Sequence, residues 1–225
     1  MPKNRRTVLD AGARDGHVSR LLAGYFADVT ALDLEKPEFI AHGVTTTAGD
    51  ITRLGYPDRH FDVVLCAEVL EHVPNLHAAC RELARVARHE IVIGVPFDQD
   101  ARIGRTTCGA CGKAGPPNGH VNSFTREKLL RLFPDWRARR ISYVGSKREA
   151  TTALAAWLMD LGGNPWGTYD QEESCIHCGS KLAAPGQRPL LKTILSALAA
   201  RMNLAQALVT RPSANWIHIL FGRQA

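Results

Sequence analysis

Four of the six cysteines in this chain fall in two Cys-x-x-Cys units, CGAC (Cys108, Cys111) and CIHC (Cys175, Cys178). Two thiolates in one tight knuckle present both sulfurs to a single ion. Two such units can therefore close a tetrahedral zinc site of the structural kind, with no open coordination position. Gly112 and Gly179, each just after the second cysteine of its unit, suit the tight turn. Between Cys111 and Cys175 lie 63 residues, far more than in a compact zinc ribbon. The cost of closing a loop grows only slowly with length, and most of the intervening chain reads as folded. His120 and His177 are spare ligand candidates. Four unlinked thiols and a redox pair are the competing readings; neither unit opens a helix after a strand, which disfavours redox.

A second group stands in CAEVLEHVPN, where Glu68, Glu71 and His72 crowd together. One reading makes His72 a general base, with Glu71 the second catalytic candidate. Another has Glu68, Glu71 and His72 hold a divalent cation that activates a hydroxyl. The plain alternative is a histidine with a structural hydrogen bond only.

The third group is spread over four short segments in fixed order: VLDAGARDG, LDL, GDI and FDVVLCAE. A glycine turn between strand and helix lets backbone approach a ligand closely and aims N–H groups at negative charge. Asp10, Ala11, Gly12 and Gly16 supply that turn. Asp33, 23 positions after Asp10 and followed by Leu34, can accept hydrogen bonds from ribose hydroxyls. Asp50 is placed to take the exocyclic amine of an adenine, with Ile51 against the ring. Ala67 and Glu68 complete the candidate cofactor contacts.

These groups need elements to hold them. Residues 7–97 alternate strand and helix: strands at TVLDAG, DVTALDL, TTTAGDI, FDVVLCAEV and EIVIGVPF, helices at HVSRLLAGYF and NLHAACRELARVA. The fourth strand is nearly all apolar, as a strand covered on both faces must be. In NLHAACRELARVA, Leu76, Ala79, Cys80, Leu83 and Val86 share one face. Such alternation implies a parallel sheet with right-handed crossovers. From Asp98 to His120 glycine, proline and cysteine crowd in and no period survives. TREKLLRLFP reads as a helix with Thr125 as N-cap, WRARRISYVG as a sixth strand, EATTALAAWLMDLGG as a helix. An irregular stretch runs to Pro189, a helical segment starts at Leu190, and NWIHILFGR is a last strand. The organisation expected is residues 1–97 as a cofactor-binding half, 98–124 as a zinc-knuckle loop, and 125–225 as the rest of the sheet with an insertion at about 149–210, one domain overall.

The glycine turn, the acidic residues after the second and third strands, and LEHV after the fourth together resemble the class I S-adenosylmethionine-dependent methyltransferases, specifically their broad small-molecule subgroup. The resemblance covers roughly residues 7–100 plus the strands from Trp136 and Asn215. It implies an α/β, Rossmann-like fold: a seven-stranded, mostly parallel sheet with an antiparallel last strand, here with zinc-knuckle insertions added. It assigns ribose to Asp33, adenine to Asp50 and the methionine portion to Asp10–Gly16. The E-x-x-E-H spacing resembles that of quinone-precursor O-methyltransferases, which use a metal there. Two departures stand out. The family turn usually reads GxGxG; here it is GARDG, with Arg14 at the middle glycine position. If that residue needs positive φ, arginine costs about 1–2 kcal/mol. The family also often has a substrate-covering helix before the first strand, and almost no sequence precedes that strand here. The zinc module is then expected to organise the substrate cap.

Composition narrows the partners. The formal charge is +6, from 28 Lys+Arg against 22 Asp+Glu, which permits an anionic small-molecule acceptor but is far from the charge blocks of a nucleic-acid arm. Arg137, Arg139 and Arg140, with Lys147 and Arg148 nearby, suit an anion or an RNA backbone; solvated strand edges are the plainer reading. Trp157, Trp166 and Tyr169 either line an acceptor pocket or fill a small local core. The N-terminus carries no apolar signal segment, and Lys192 and Arg201 break the longest apolar stretch, which reads as a packed or surface helix, so a cytoplasmic protein with no membrane partner is expected. The reading favoured is methyl transfer to oxygen or nitrogen of a small molecule. An RNA base methyltransferase using its zinc module to grip nucleic acid is the first alternative, and a non-catalytic binding protein on the same fold the second. The oligomeric state is not set by the sequence.

Overall fold

The computed structural model describes residues 5–171 and 173–224. The contacts of these residues divide into two compact units: one up to residue 97 with 124–144 and from 216 on, the other 98–123 with 145–215. Where the sequence reads as one domain overall, the two cysteine-bearing segments thus pack with each other as a unit of their own. Its outer boundary lies at 145 and 215 rather than about 149 and 210, because Lys147 and Ser213 pair backbone to backbone at 2.8 and 3.0 Å and zip the two ends of the insertion together.

The first unit is built on one sheet. Its strands are β1 (Thr7–Ala11), β2 (Asp28–Asp33), β3 (Val44–Ala48), β4 (Phe61–Ala67), β5 (Ala87–Pro96), β8 (Trp136–Val144) and β9 (Trp216–Arg223). Between them lie α1 (His17–Leu22), α2 (Leu76–Val86) and α3 (Arg126–Leu132). The order is β3-β2-β1-β4-β5-β9-β8. The first five strands run parallel, and β9 is antiparallel to both β5 and β8. This is the seven-stranded, mostly parallel α/β sheet expected.

The apolar runs explain why β1 and β4 sit centrally. Side chains alternate across a sheet. Leu9 and Val64 enter the large core with Ala79, Leu83 and Val86 of α2 and Leu129 of α3. Their neighbours Val8 and Val63 enter the opposite core with Leu22 and Phe26. All five residues assigned to the inner face of α2 are buried.

Element ends follow local chemistry. α1 stops at Leu22, short of the expected Phe26, because the chain tightens at Gly24 into i→i−3 bonds from Gly24 to Leu21 and from Tyr25 to Leu22. Asn75 caps α2, and Thr125 caps α3 by accepting from the Lys128 N–H at 3.2 Å. β5 begins three residues early, directly from the last turn of α2.

The second unit holds two short strands, β6 (Thr106–Thr107) and β7 (Ala114–Gly115), and two helices, α4 (Ala153–Leu161) and α5 (Leu190–Val209). α4 starts at Ala153 rather than Glu149 because Thr152 caps it, accepting from the Ala155 N–H at 3.1 Å. No helix among the described residues is long and apolar enough to cross a membrane.

Candidate functional site

Strand register brings the candidate cofactor residues to one end of the sheet. Asp10 lies beside Ala31 and Leu65, and Asp33 beside Ala48, so Asp10, Asp33, Asp50 and Glu68 all sit at or just past the carboxyl ends of neighbouring parallel strands. That is where ligands bind in open α/β sheets.

The turn after β1 is held by β2. The Gly12 and Ala13 N–H groups both donate to the Leu32 carbonyl, at 2.8 and 3.0 Å. Gly12 and Gly16 have φ of +90° and +74°. A Cβ on Gly12 would strike the Val69 side chain, and one on Gly16 the Phe39 ring, so glycine is required at both on two grounds. Arg14 also adopts positive φ, +44°, which carries the left-handed cost of about 1–2 kcal/mol for a residue with a Cβ. Asp33 offsets it. One carboxylate oxygen accepts from the Arg14 N–H at 2.9 Å and the other from the Leu34 N–H at 2.7 Å. Each oxygen keeps a second lone pair for a ligand. Arg14→Gly keeps that N–H and removes the steric cost, so it is expected to raise stability by about 1 kcal/mol in urea denaturation. A fall instead would mean that the arginine side chain's own contacts outweigh the strain.

Asp10 is buried and accepts from the Ser19 hydroxyl at 2.5 Å; burial raises its carboxyl above the ordinary range. It braces β1 against α1. Asp50 accepts from the backbone N–H and hydroxyl of Thr52, both at 2.8 Å on one oxygen, which hold its carboxyl below the ordinary range. Its second oxygen accepts from no described residue. Ala11 and Ile51 are buried, so Ala11 can offer a ligand only backbone. Leu34 is 74% exposed, an apolar side chain next to the Asp33 carboxylate with nothing over most of it.

Past β4 the backbone turns at Glu68, φ +60°, where its N–H donates to the Gly94 carbonyl at 3.0 Å. Although Glu68 as a residue is exposed, partial desolvation of its carboxyl pushes it up to about 7. Glu71 is fully buried, and neither carboxyl oxygen has a hydrogen-bond partner in another side chain or backbone group among the described residues. Burial pushes it up to about 8, with the nearby Glu68 charge adding to the shift. Glu71 and His72 bring ligand atoms within 4.8 Å of one another; Glu68 is not in that group.

The Glu71 shift has a stability consequence. Its folded value lies above the ordinary 4.5, so the folded state binds the proton more tightly than the unfolded chain. Stability from this group is full below about 4.5, falls as pH rises to about 8, and is level beyond. Glu71→Gln is expected to remove that fall, which amounts to a few kcal/mol at most. Melting temperatures of both proteins across this window would show it; parallel curves would refute it.

The second unit brings all four CxxC cysteines together. Cys108 Sγ lies 3.7 Å from Cys178 Sγ, Cys111 Sγ lies 3.8 Å from Cys175 Sγ, and all four sulfurs fall within 4.8 Å of one another. A tetrahedron with zinc–sulfur bonds of about 2.3 Å has sulfur–sulfur edges of about 3.8 Å. The two knuckles have the same geometry. Gly112 N–H donates to the Cys108 carbonyl and Gly179 N–H to the Cys175 carbonyl, each at 2.8 Å, with φ of +72° and +71°. Cys108 and Cys175 are buried with Leu182, beside Tyr169. The Ser180 hydroxyl and backbone beside Cys178 hold its thiol down to about 6. The spare histidines stand outside the four-sulfur group: His177 Nε2 is 3.2 Å from the Ala114 carbonyl, and His120 Nδ1 is 2.6 Å from Gln99 Oε1. Burial pushes the other two thiols up, Cys80 to about 12 and Cys66 well above the ordinary range, so both are inert core residues.

The aromatic residues of this unit separate. Tyr169 is structural, its hydroxyl accepting from the Thr107 N–H at 2.8 Å. Trp166 lines a cleft of about 290 Å³ with Arg102, Arg105, Met159 and Asn203. Both arginines there are ion-paired, to Asp100 at 2.7 Å and to Asp160 at 2.6 Å.

Sequence reasoning missed three supports of the cofactor turn: Ser19 under Asp10, Phe39 against Gly16, and Val69 against Gly12. Only Ser19 had a signal, a small hydroxyl residue in the first turn of α1.

Comparison with known proteins follows the same segment. The methyltransferase domain family matches residues 9–92. The ubiquinone biosynthesis O-methyltransferase of Pectobacterium atrosepticum is 35% identical over 97 residues, 37% of this chain and 40% of that protein. The 2-methyl-6-phytyl-1,4-hydroquinone methyltransferase of Synechocystis is 34% identical over 92 residues, 36% of this chain and 29% of that protein. The matches thus span at most about two-fifths of those curated relatives. A SAM-dependent methyltransferase from Archaeoglobus fulgidus shares the fold, with a TM-score of 0.56 at 14% identity over 98% of this chain and 87% of that one. The segment matched by the methyltransferase domain family, residues 9–92, thus carries every strand-end residue described above, from Asp10 to His72.

Proposed function

We propose that the protein transfers a methyl group from S-adenosylmethionine to oxygen or nitrogen of a small-molecule acceptor. The observation that carries this reading is the Asp33 carboxylate, fixed by two backbone N–H groups at a strand end, with an exposed apolar Leu34 beside it and a second carboxylate, Asp50, past the next strand. Asp33 takes the ribose hydroxyls, Asp50 the adenine amine, and Leu34 and Ile51 the ring. The Gly12–Gly16 turn, with Ala11, offers its backbone to the amino-acid portion. Ala67 and Glu68 border the same site.

The bound donor supplies an electrophilic methyl on sulfur. What remains for the chain is to place the acceptor atom in line and, for a hydroxyl, to remove its proton. His72 is assigned as that base, with the buried Glu71 beside it. A divalent cation held at Glu71 and His72 with Glu68 is the other way those residues could lower a hydroxyl's proton affinity. The quinone-pathway names of the relatives support a small, ring-bearing acceptor. Acceptor selectivity is assigned to the second unit, which has its own cleft at Trp166, and the four thiolates are assigned to a structural zinc ion.

Calorimetric titration with S-adenosylmethionine and with S-adenosylhomocysteine tests the core of this reading. Binding of both is expected; no heat with either, from protein whose fold is intact by circular dichroism, would overturn it. Methyl transfer to a panel of small phenols and amines then identifies the acceptor class.

A further inference from the structure

Helix α5 is turned inside out. The side chains it buries are small, Ser196 and Ala199. The Ser196 hydroxyl is satisfied by the Lys192 and Thr193 carbonyls of its own helix, at 3.0 and 3.1 Å, and by the Arg188 side chain from before the helix, at 3.0 Å. Gly162, at the end of α4, comes so close that a Cβ there would meet Ser196 at 2.8 Å. α5 therefore turns its small residues toward α4 and its large aliphatic residues outward.

Leu190, Ile194, Leu198, Leu204 and Leu208 are all exposed. At 100° per residue they fall within an arc of about 120°, and Arg201 falls inside the same arc. The helix spans 20 residues, so the stripe runs about 30 Å. An apolar face of that length is not left to water without a reason.

Charge identifies the cover. Arg201 is the charged residue on the stripe, and it has no ion-pair partner among the described residues. Arg211 follows the helix, Arg188 is turned to the buried side by its bond to Ser196, and the sequence contains no Asp or Glu after Glu173. A second copy of the chain fits this poorly. Two-fold mating of α5 on itself would bring the two Arg201 side chains, near the helix midpoint, toward each other, with no carboxylate on either face to separate them. A surface of anionic phosphates over acyl chains satisfies both features. The leucines enter the apolar layer, and the Arg201 stem lies along it while its guanidinium reaches the headgroups.

We propose that the outward face of α5 lies in the plane of an anionic lipid surface, docking the second unit there without spanning the bilayer. This goes beyond the methyl-transfer reading and does not depend on it.

The test is flotation of the full chain with vesicles of equimolar phosphatidylglycerol and phosphatidylcholine, and with vesicles of phosphatidylcholine alone, at low and high salt. Partitioning onto the anionic vesicles is expected to exceed that onto the neutral ones at least about tenfold and to weaken with salt. Leu198→Glu combined with Leu204→Glu, and separately Arg201→Glu, are expected to abolish it; all three side chains are exposed, and unchanged circular dichroism and melting would show the fold intact. Equal partitioning on both vesicles, no partitioning, or unaltered partitioning of the variants would overturn the proposal. So would a dimer in light scattering that the double leucine variant converts to monomer, since the stripe would then be an interface between copies.

Discussion

Stripping the proposed zinc ion is expected to unfold residues 98–123 with 145–215 while the seven-stranded sheet survives. The buried cluster at the knuckles consists of Cys108 and Cys175 with Leu182, supported by Cys111 and Tyr169. So small a core cannot offset the conformational entropy of the loops it orders. A structural four-thiolate zinc ion contributes an apparent 10–16 kcal/mol in small domains, far more than those side chains can. It would also join segments separated by 63 residues. The expected result is one zinc per chain by elemental analysis and two thermal transitions in calorimetry, the zinc-dependent one lost on chelation. Cys108→Ser is expected to do the same without chelator, because removing one buried thiolate opens the tetrahedron. A stripped protein with an unchanged melting profile would show that the sulfur cluster needs no ion.

The second large effect is expected at Asp33. Asp33→Asn keeps the shape and one acceptor oxygen but loses the charge. Two charge-assisted hydrogen bonds to a ribose weaken, each worth roughly 1.5–3 kcal/mol, and the clamp on the left-handed Arg14 weakens with them. Affinity for S-adenosylmethionine is expected to fall roughly 100-fold, about 2.8 kcal/mol. Asp50→Asn is expected to cost roughly tenfold, since it offers one oxygen to one amine. Calorimetric titration of the three proteins gives the order. Wild-type affinity in Asp33→Asn would mean that Asp33 only braces the turn and that the ribose is held elsewhere.

The sheet was legible because its strands announce themselves twice, by apolar runs and by the helices alternating with them. The inner face of α2 was readable residue by residue, since a period of 3.6 leaves little freedom over eleven residues. The four cysteines were readable from spacing alone. What could not be read was anything set by a contact distant in sequence. Phe39 and Val69 reach the two turn glycines from loops with no pattern of their own. The positive φ of Arg14 is possible because a carboxylate 19 residues away accepts its N–H. The division into two units was hidden for the same reason. It depends on where the irregular segments pack, and composition marks them as irregular without saying what they touch. The helical spacing of α5 fits a packed or a surface helix alike, and only the packing of Ser196 and Ala199 inward decides which side faces out.

The sheet order carries a consequence for how the molecule is made. β9, the strand furthest along the sequence, is an interior one, wedged between β5 and β8. Until it arrives, β5 has a bare edge, and β8 has no strand to pair with, since β9 is its one neighbour in the sheet. A nascent chain on the ribosome therefore holds an unfinished, adhesive sheet until β9 emerges from the exit tunnel. Closure of the first unit waits on β9 and is all-at-once, and stalling just short of Trp216 should leave a species that chaperones hold.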